Sequence, residues 1–548
     1  MSQPPTAGDQ TAPTGASSAA SLADHDPVGE AAALYRKGNL DAAVEKYREL
    51  LRERPKSPDA YAGLIRVYLK QNKVEQASQI ANESRGFVDS PRVQIAYAEL
   101  LFRQGKIDQA ELEWAKAINA GFAEARAYLG LAKVRNARAM YKSARGMINR
   151  AHELDPGDPE IEELWVSTLN PEERIKHLED ELASPNDWSE GKRQNITRYV
   201  QYLKGQEKSN YRPCRLVAGT IPAEIPLLMI LGEDAFMSAW GLPVFLNGHK
   251  SSLVIDTGAS GIVLGRKAAE RAGIVKVAAN TIGGIGDKGT RNGYVGIAGA
   301  VQIGNLEFEG CPVEVVDTRA VMGSDGLIGS DFFQEFLVDL DFPSVRLRLS
   351  PLPHRPGVTE EKPRPQNNET GSESQNTSVR HDLAEDKATS SQPRELELQD
   401  AYIAPEMDSF TRVLRFGDDL LVLTTIGNLP GKLFLLDTGA FNNTISPEAA
   451  REVTKISGDS NKTVKGLGGN VKKVYSANKV VVEFGNLRQE NQDMVGFDTS
   501  ALSNQYGTEV SGLLGFKMLM FLDIKIDYRD ALVKFTYDPE RWKHRPGR

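Results

Sequence analysis

Two stretches, Leu253-Val-Ile-Asp-Thr-Gly-Ala-Ser260 and Phe434-Leu-Leu-Asp-Thr-Gly-Ala-Phe441, decide how the second half of the chain is read. In each, three apolar residues run into Asp-Thr-Gly-Ala, the pattern of a buried strand that ends in a turn. Asp-Thr-Gly alone is a weak signal, because Asp and Gly are ordinary turn residues. The flanks carry the argument. Counted from Asp256 and Asp437, Leu264 and Ile445 both fall at +8, and the pairs Ala268-Ala269 and Ala449-Ala450 at +12 and +13. Gly304-Asn-Leu306 and Gly485-Asn-Leu487 both begin at +48, and Asp317-Thr318 and Asp498-Thr499 at +61. The last two pairs lack the glycine and read as loop residues. After a five-residue insertion in the second copy, Gly326-Leu-Ile-Gly329 matches Gly512-Leu-Leu-Gly515, and Asp341 and Asp527 each follow by 12 residues. Closing strands are expected over 345–349 and 531–535. One fold occurs twice, with its aspartate in the same place each time.

Glycine-rich segments, Thr281–Thr290 (TIGGIGDKGT) and Lys465–Asn470 (KGLGGN), follow each motif at about +27 and +29. Strand, Asp-Thr-Gly-Ala, strand, glycine-rich hairpin, apolar-apolar-Gly and closing strand together resemble the aspartic peptidases. Each unit of about 115 residues is similar to the retropepsin-like half, over 241–351 and 414–539. The resemblance implies two all-β lobes forming a pseudo-twofold pair, with Asp256 and Asp437 as the catalytic pair. It implies that Thr257 and Thr438 hydrogen-bond across the axis and lock the two loops. Gly258 and Gly439 then let backbone N–H groups approach the carboxylates, and Ala259 and Ala440 complete the loops. Gly329 and Gly515 let a second loop pass close by. The hairpins, through Gly283, Gly284, Ile285 and Gly286 and through Gly466, Leu467, Gly468 and Gly469, would close over a polypeptide substrate as flaps.

The chemistry accounts for the pairing. Two carboxyls that share a water can hydrolyse an amide, one taking a proton while the other polarises the carbonyl. Two close carboxylates do not both ionise readily, so the acid and the base arise from one environment. The copies differ just after the motif, Ser260-Gly261 against Phe441-Asn442. The run Gly284-Ile-Gly-Asp-Lys-Gly289 formally spells a dinucleotide fingerprint, but the strand-like residues after it leave no crossover helix, so no cofactor is implied.

Upstream, the apolar pattern is helical and repeats. Gly38-Asn-Leu-Asp-Ala-Ala43 recurs as Asn72-Lys-Val-Glu-Gln-Ala77, Gly105-Lys-Ile-Asp-Gln-Ala110 and Met140-Tyr-Lys-Ser-Ala144. The alanines Ala43, Ala77, Ala110 and Ala144 are 34, 33 and 34 residues apart, a period that resembles the tetratricopeptide repeat. A small residue early in the second helix of each pair lets the helices approach, and the residue before it must accept a tight bend. Pro55 and Pro156 stand where second helices should stop. About four repeats are expected, with 160–205 capping the stack. The module serves either as a groove for a peptide or protein partner or as a spacer. No candidate catalytic residue lies upstream of Arg215, so the lobes are expected to suffice for short peptides.

Composition closes off other readings. The net charge of −8 excludes a nucleic-acid role driven by bulk charge. The one basic cluster, Arg541, Lys543, Arg545 and Arg548, reads as a solvated tail. Cys214 and Cys311 are too few for a disulfide framework; one bridge is possible, but the pair reads better as two reduced, buried thiols. The seven histidines show no metal-ligand spacing, so no metal is expected. No apolar run is long enough for a membrane span, and no leader-like segment follows Met1, which reads as cytoplasmic. The expected organisation is a disordered segment 1–27, an all-α solenoid 28–205, a first lobe 206–353, a disordered linker 354–397 and a second lobe 398–548. As a coil the linker reaches about 35–40 Å, enough for the lobes to pair within one chain. The function expected is an aspartic endopeptidase whose repeats recruit substrate or partner. The alternative is a non-catalytic peptide-binding adaptor or scaffold built on the repeats.

Alanine follows Asp-Thr-Gly in both copies, where a serine hydroxyl would donate to the carboxylate and favour its charged form. Without that donor the shared proton is held to higher pH. The kcat/KM profile, measured from pH 3 to 8, is therefore expected to peak in weakly acidic to near-neutral conditions. The double substitution Ala259→Ser with Ala440→Ser should move it to lower pH. A wild-type optimum near pH 3 would contradict this.

Overall fold

The computed structural model describes residues 26–86, 89–184, 190–209, 214–231, 237–287, 289–318, 321, 323–356, 399–459 and 462–543. The segments expected to be disordered, 1–27 and 354–397, lie almost wholly outside these residues. The chain divides into two compact units, Met1–Ala96 and Tyr97–Arg548.

In the first unit the helices Pro27–Arg36, Leu40–Glu53, Pro58–Lys70 and Val74–Arg85 pack each against the next. Their ends follow from local chemistry. Pro58 opens its helix at a position whose N–H would be unpaired anyway, and Ser57 Oγ accepts from the Ala60 N–H. Gly63 faces the ring of Tyr47 so closely that a Cβ there would fall 2.2 Å from a ring carbon. In the second unit Gly130 meets Trp114 in the same way, 67 residues on in each case, or two periods.

Helices Ile107–Asn119, Ala125–Ala137 and Tyr141–Leu154 continue the pattern in the second unit, and Pro159–Thr168, Pro171–Ala183 and Glu190–Ser209 follow. All four period-marking alanines are buried. The bend before each is left-handed, at Gly38, Asn72, Gly105 and Ala139. Glycine makes this conformation cheap; Ala139 adopts it with φ at 56°. Its methyl explains the exception, because Ala139 is fully buried in the core of the β-rich region, against which Tyr141 also packs. The fourth repeat thus shares its core with the β-rich region. The helix Tyr141–Leu154 has no cap of its own at Met140. Asp400 supplies one: its carboxylate accepts from the Ser143 N–H at 2.9 Å and from the Ser143 hydroxyl at 2.5 Å.

The β-rich region repeats one topology twice. Strand His249–Asp256 pairs antiparallel with Met237–Leu246 and parallel with Gly326–Gly329, which Ile262–Gly265 flanks on its other side. Likewise Leu429–Asp437 pairs with Asp419–Ile426 and with Gly512–Gly515, flanked by Thr444–Ile445. A six-stranded sheet joins the copies, for Phe336–Asp341 pairs antiparallel with Leu522–Asp527. Within it the equivalent Asp341 and Asp527 do the same task. Each accepts the N–H three residues on, from Ser344 at 3.1 Å and from Asp530 at 3.0 Å, and so shapes the turn into its closing strand.

Two readings need correction. Cys214 and Cys311 are not free thiols but form a disulfide. Strand Arg215–Ala218 pairs antiparallel with Leu306–Val316, Arg215 opposite Glu309, and that register brings the two cysteines together. Nothing local to either cysteine reveals it. Arg541 is not a solvated tail residue: its guanidinium binds the Asp341 carboxylate at 2.5 and 2.7 Å and the Ser344 hydroxyl at 2.6 Å. Among the described residues no helix is long and apolar enough to cross a membrane.

The disulfide links positions 97 residues apart and so restricts the unfolded chain. Cys311→Ser is expected to lower unfolding free energy by about 2–4 kcal/mol. Urea titration should show this drop, and dithiothreitol should lower the wild-type midpoint while leaving the variant unmoved.

Candidate active site

Each Asp-Thr-Gly-Ala turn follows a strand whose last four residues are buried, and the two turns meet. The Thr257 N–H donates to Thr438 Oγ1 at 3.1 Å and the Thr438 N–H to Thr257 Oγ1 at 3.0 Å. Each hydroxyl in turn donates across to the strand behind the opposite turn, Thr257 to the Leu436 carbonyl and Thr438 to the Ile255 carbonyl, both at 2.7 Å. These four bonds leave no polar atom of either threonine side chain unpaired in a place where water is excluded.

The lock presses each carboxyl onto the other lobe's glycine. A Cβ on Gly439 would lie 2.4 Å from Asp256 Cγ, and one on Gly258 2.9 Å from Asp437 Cγ. Gly329 and Gly515 stand opposite Asp256 and Asp437 in the parallel strand pairs. Side chains there would strike the carbonyls of Ala259 and Asn442. The residues singled out in sequence are thus brought together from 181 positions apart.

Asp256 and Asp437 are both buried, each carboxyl packed against the glycine of the other turn. Burial pushes both pKa values up, and for Asp256 the charge of Asp437 adds to the rise. The pair is not symmetric. Asp437 Oδ1 accepts N–H bonds from Gly439 at 3.0 Å and Ala440 at 2.8 Å, whereas Asp256 Oδ1 accepts one, from Gly258 at 3.0 Å. Each such bond favours the charged form, so the negative charge is better held on the Asp437 side.

Both glycine-rich hairpins are present and touch at their tips. The Gly468 N–H donates to the Ile285 carbonyl at 2.9 Å, and the Asp287 N–H to the Asn470 carbonyl at 3.2 Å. A Cβ on Gly286 would come within 2.3 Å of Gly468, so glycine is required for the tips to meet. Gly284 lies against Leu467 and Gly466 against Ile285. Leu467 also packs on the first lobe's apolar cluster of Ile230, Val254, Val263 and Ile282. Gly283 lies in the same loop with open space around it.

Sequence comparison missed several residues beside the dyad. Asn443 is buried and accepts the Gly515 N–H at 2.8 Å, a bond that the Gly261 carbonyl makes to Gly329 in the first lobe. By strand register Asp418 and Asp419 stand where the first copy has Ser238 and Ala239, an asymmetry that extending the comparison upstream would have exposed. Asp419 is 7% exposed and its Oδ2 accepts the Tyr506 hydroxyl at 2.8 Å. Burial pushes its pKa up to about 6. Phe441, at the position of Ser260, is exposed, with its ring 6.4 Å from Phe516. Asp317 pairs with Arg266, and Asp498 accepts the Ser500 N–H ahead of a short helix; neither takes part in the dyad.

The family model described as aspartyl protease matches residues 242–332 and again 422–518, and a tetratricopeptide repeat model matches 34–86. Each lobe matches the aspartyl protease family, and the first helices match the tetratricopeptide repeat. Among solved structures, the chain is similar to a retropepsin-like aspartic protease from Rickettsia conorii. Identity is 19% over 25% of this chain and 96% of that one, with a TM-score of 0.18. It is also similar to a thermophilic tetratricopeptide protein from Thermus thermophilus, with 19% identity over 32% of this chain and 97% of that one and a TM-score of 0.26. No curated protein matches the chain. Among the described residues, no cluster of His, Cys, Asp and Glu could hold a metal ion.

Asp419 generates a pH prediction. Its charge, gained above a pH of about 6, raises the pKa of Asp256. A group that holds its proton harder loses it at higher pH, so removing the Asp419 charge lets the dyad lose its shared proton earlier. Asp419→Asn is expected to move the alkaline limb of the kcat/KM profile to lower pH. A limb that stays put, or moves up, contradicts the coupling.

Proposed function

We propose that the chain is an aspartic endopeptidase that uses Asp256 and Asp437, and that its helical repeats recruit the polypeptide substrate or a partner. The observation that carries this reading is the pair of buried carboxyls, Asp256 and Asp437, each pressed against the other lobe's glycine by the threonine lock. In the reaction the ionised carboxylate takes a proton from a water held between the two, and the water oxygen bonds to the scissile carbonyl carbon. The protonated carboxyl gives its proton to the carbonyl oxygen, producing a gem-diol. The C–N bond then breaks as the nitrogen takes the first proton and a diol hydroxyl returns the second. An acid and an amine leave, and the pair is back where it began. The bias of charge towards Asp437 favours it as the base. The flaps, Gly283–Gly286 and Gly466–Gly469, close over the peptide and exclude water.

A polypeptide substrate suits both parts of the molecule. In the first unit a cavity of about 430 Å³, lined by Arg48, Arg52, Tyr61, Leu64 and Glu83 among others, offers the repeats a place for a partner segment. No cofactor, metal, nucleic acid or membrane enters the reading. The sheet shared by the lobes supports activity as a single chain. The Cys214–Cys311 bridge weighs against the cytoplasmic location expected from sequence, because the cytosol keeps thiols reduced.

Asp256→Asn and Asp437→Asn should each lower kcat/KM on a peptide by ~10²–10⁴-fold with the fold retained. Wild-type activity should be blocked by a pepstatin-type inhibitor, and its specific activity should not change on dilution. Near wild-type turnover in either variant would sink the shared site. Absence of any cleavage of casein by the wild type would return the chain to the adaptor reading.

A further inference from the structure

Arg415 stands between the helical repeats and the candidate catalytic loop of the first lobe. It lies on the short strand Leu414–Phe416, against which helix Ala125–Ala137 packs, and its side chain is 14% exposed. Its planar fork is fully engaged. Nε donates to the Gly417 carbonyl at 2.8 Å, one terminal nitrogen to the Tyr528 carbonyl at 2.8 Å and the other to Gln334 Oε1 at 2.6 Å. Asp418 lies 3.7 Å from the guanidinium.

From there two short routes reach the loop. Gln334 Nε2 donates to Asp418 Oδ1 at 2.5 Å, and the Ser260 hydroxyl, one residue past Ala259, donates to Asp418 Oδ2 at 3.0 Å. The Ser330 hydroxyl donates to the Asp418 carbonyl at 2.8 Å, while the Ser330 N–H holds the Ala259 carbonyl at 2.9 Å. On the other side Arg415 meets the fourth repeat. Tyr141 packs on the shared core, near enough for the Arg415 charge to oppose the rise that burial gives its pKa, and the Tyr141 N–H donates to the Gln399 carbonyl at 3.2 Å. The second lobe's turn has no equivalent route, because Phe441 stands where Ser260 stands and cannot donate.

We propose that Arg415 is a positioning residue for the Asp256 loop and that the fourth repeat, through Tyr141, is part of the same relay. The helical module then reaches into the site and does not only deliver substrate to it. The inference rests on the proteolytic reading for its kinetic test, but its structural content does not. A single loop is held at several points by groups of fixed geometry. Loss of one anchor lets Ala259 and Ser260 shift while substrate contacts elsewhere remain, so turnover should suffer more than binding.

The full chain is compared with Arg415→Met, Arg415→Lys, Tyr141→Phe and the double variant Tyr141→Phe with Arg415→Met, using Asp256→Asn as the inactive reference. Because small misplacements of reacting groups are costly, Arg415→Met should lower kcat by about 10-fold and Tyr141→Phe by about 3-fold, with KM within about 2-fold. The double variant should be no worse than Arg415→Met, since both substitutions break one route. Arg415→Lys should recover only part of the loss, because an ammonium cannot serve three acceptors in fixed directions. Hydrogen exchange at the Ser330 amide should quicken in Arg415→Met and Tyr141→Phe alike. Wild-type kcat and unchanged Ser330 exchange in Tyr141→Phe would overturn the relay, as would additive losses in the double variant. If no Asp256-dependent cleavage is seen in any chain, the proteolytic reading has failed, and Ser330 exchange alone decides the relay.

Discussion

The reciprocal hydrogen bonds of Thr257 and Thr438 are the constraint on which the rest of the β-rich region depends. Each hydroxyl receives the opposite N–H and gives its proton to the opposite strand's carbonyl. Both threonines are buried, so neither lobe can satisfy its own turn without the other. That reciprocity sets the pseudo-twofold axis. It also explains why glycine follows each threonine, since the carboxyl of one lobe occupies the space a side chain would need in the other. The raised pKa values of the dyad are a consequence of the same geometry. Locking the turns buries two acids together, and burial with mutual repulsion keeps a proton between them.

Around the axis the molecule is symmetric where backbone must be held and asymmetric where side chains meet ligand or neighbour. The shared sheet and the turn-shaping aspartates Asp341 and Asp527 occur in both halves at equivalent places. Ser260 and Phe441 do not match, nor do Ala239 and Asp419. The first lobe's loop is tied by hydroxyls to Asp418, while the second ends in an exposed aromatic ring.

The helical repeats show how tertiary demand overrides a local rule. Three of the four bends use Gly or Asn, the residues that take positive φ most easily. The fourth uses Ala139, because its methyl fills the core that the repeat shares with the lobes. The same contact region carries Tyr141, Ser143 and the Asp400 cap, so the fourth repeat is held to the polypeptide that opens the second lobe.

Sequence alone determined the duplication, the position of both aspartates, the threonine–glycine turns, the glycine-rich hairpins and the period of the helices. These features are local patterns repeated at fixed offsets, and repetition makes a weak motif specific. Tertiary structure decided the rest. The disulfide depends on the register of strand 215–218 against strand 306–316, and Arg541 finds Asp341 across 200 positions. Asp419 and Arg415 lie upstream of the matched offsets, in the part where the copies differ. Pairings of this kind are set by which strands and helices end up side by side. A chain's local pattern fixes what each element is, but the partners of a buried charge are chosen only when the elements pack.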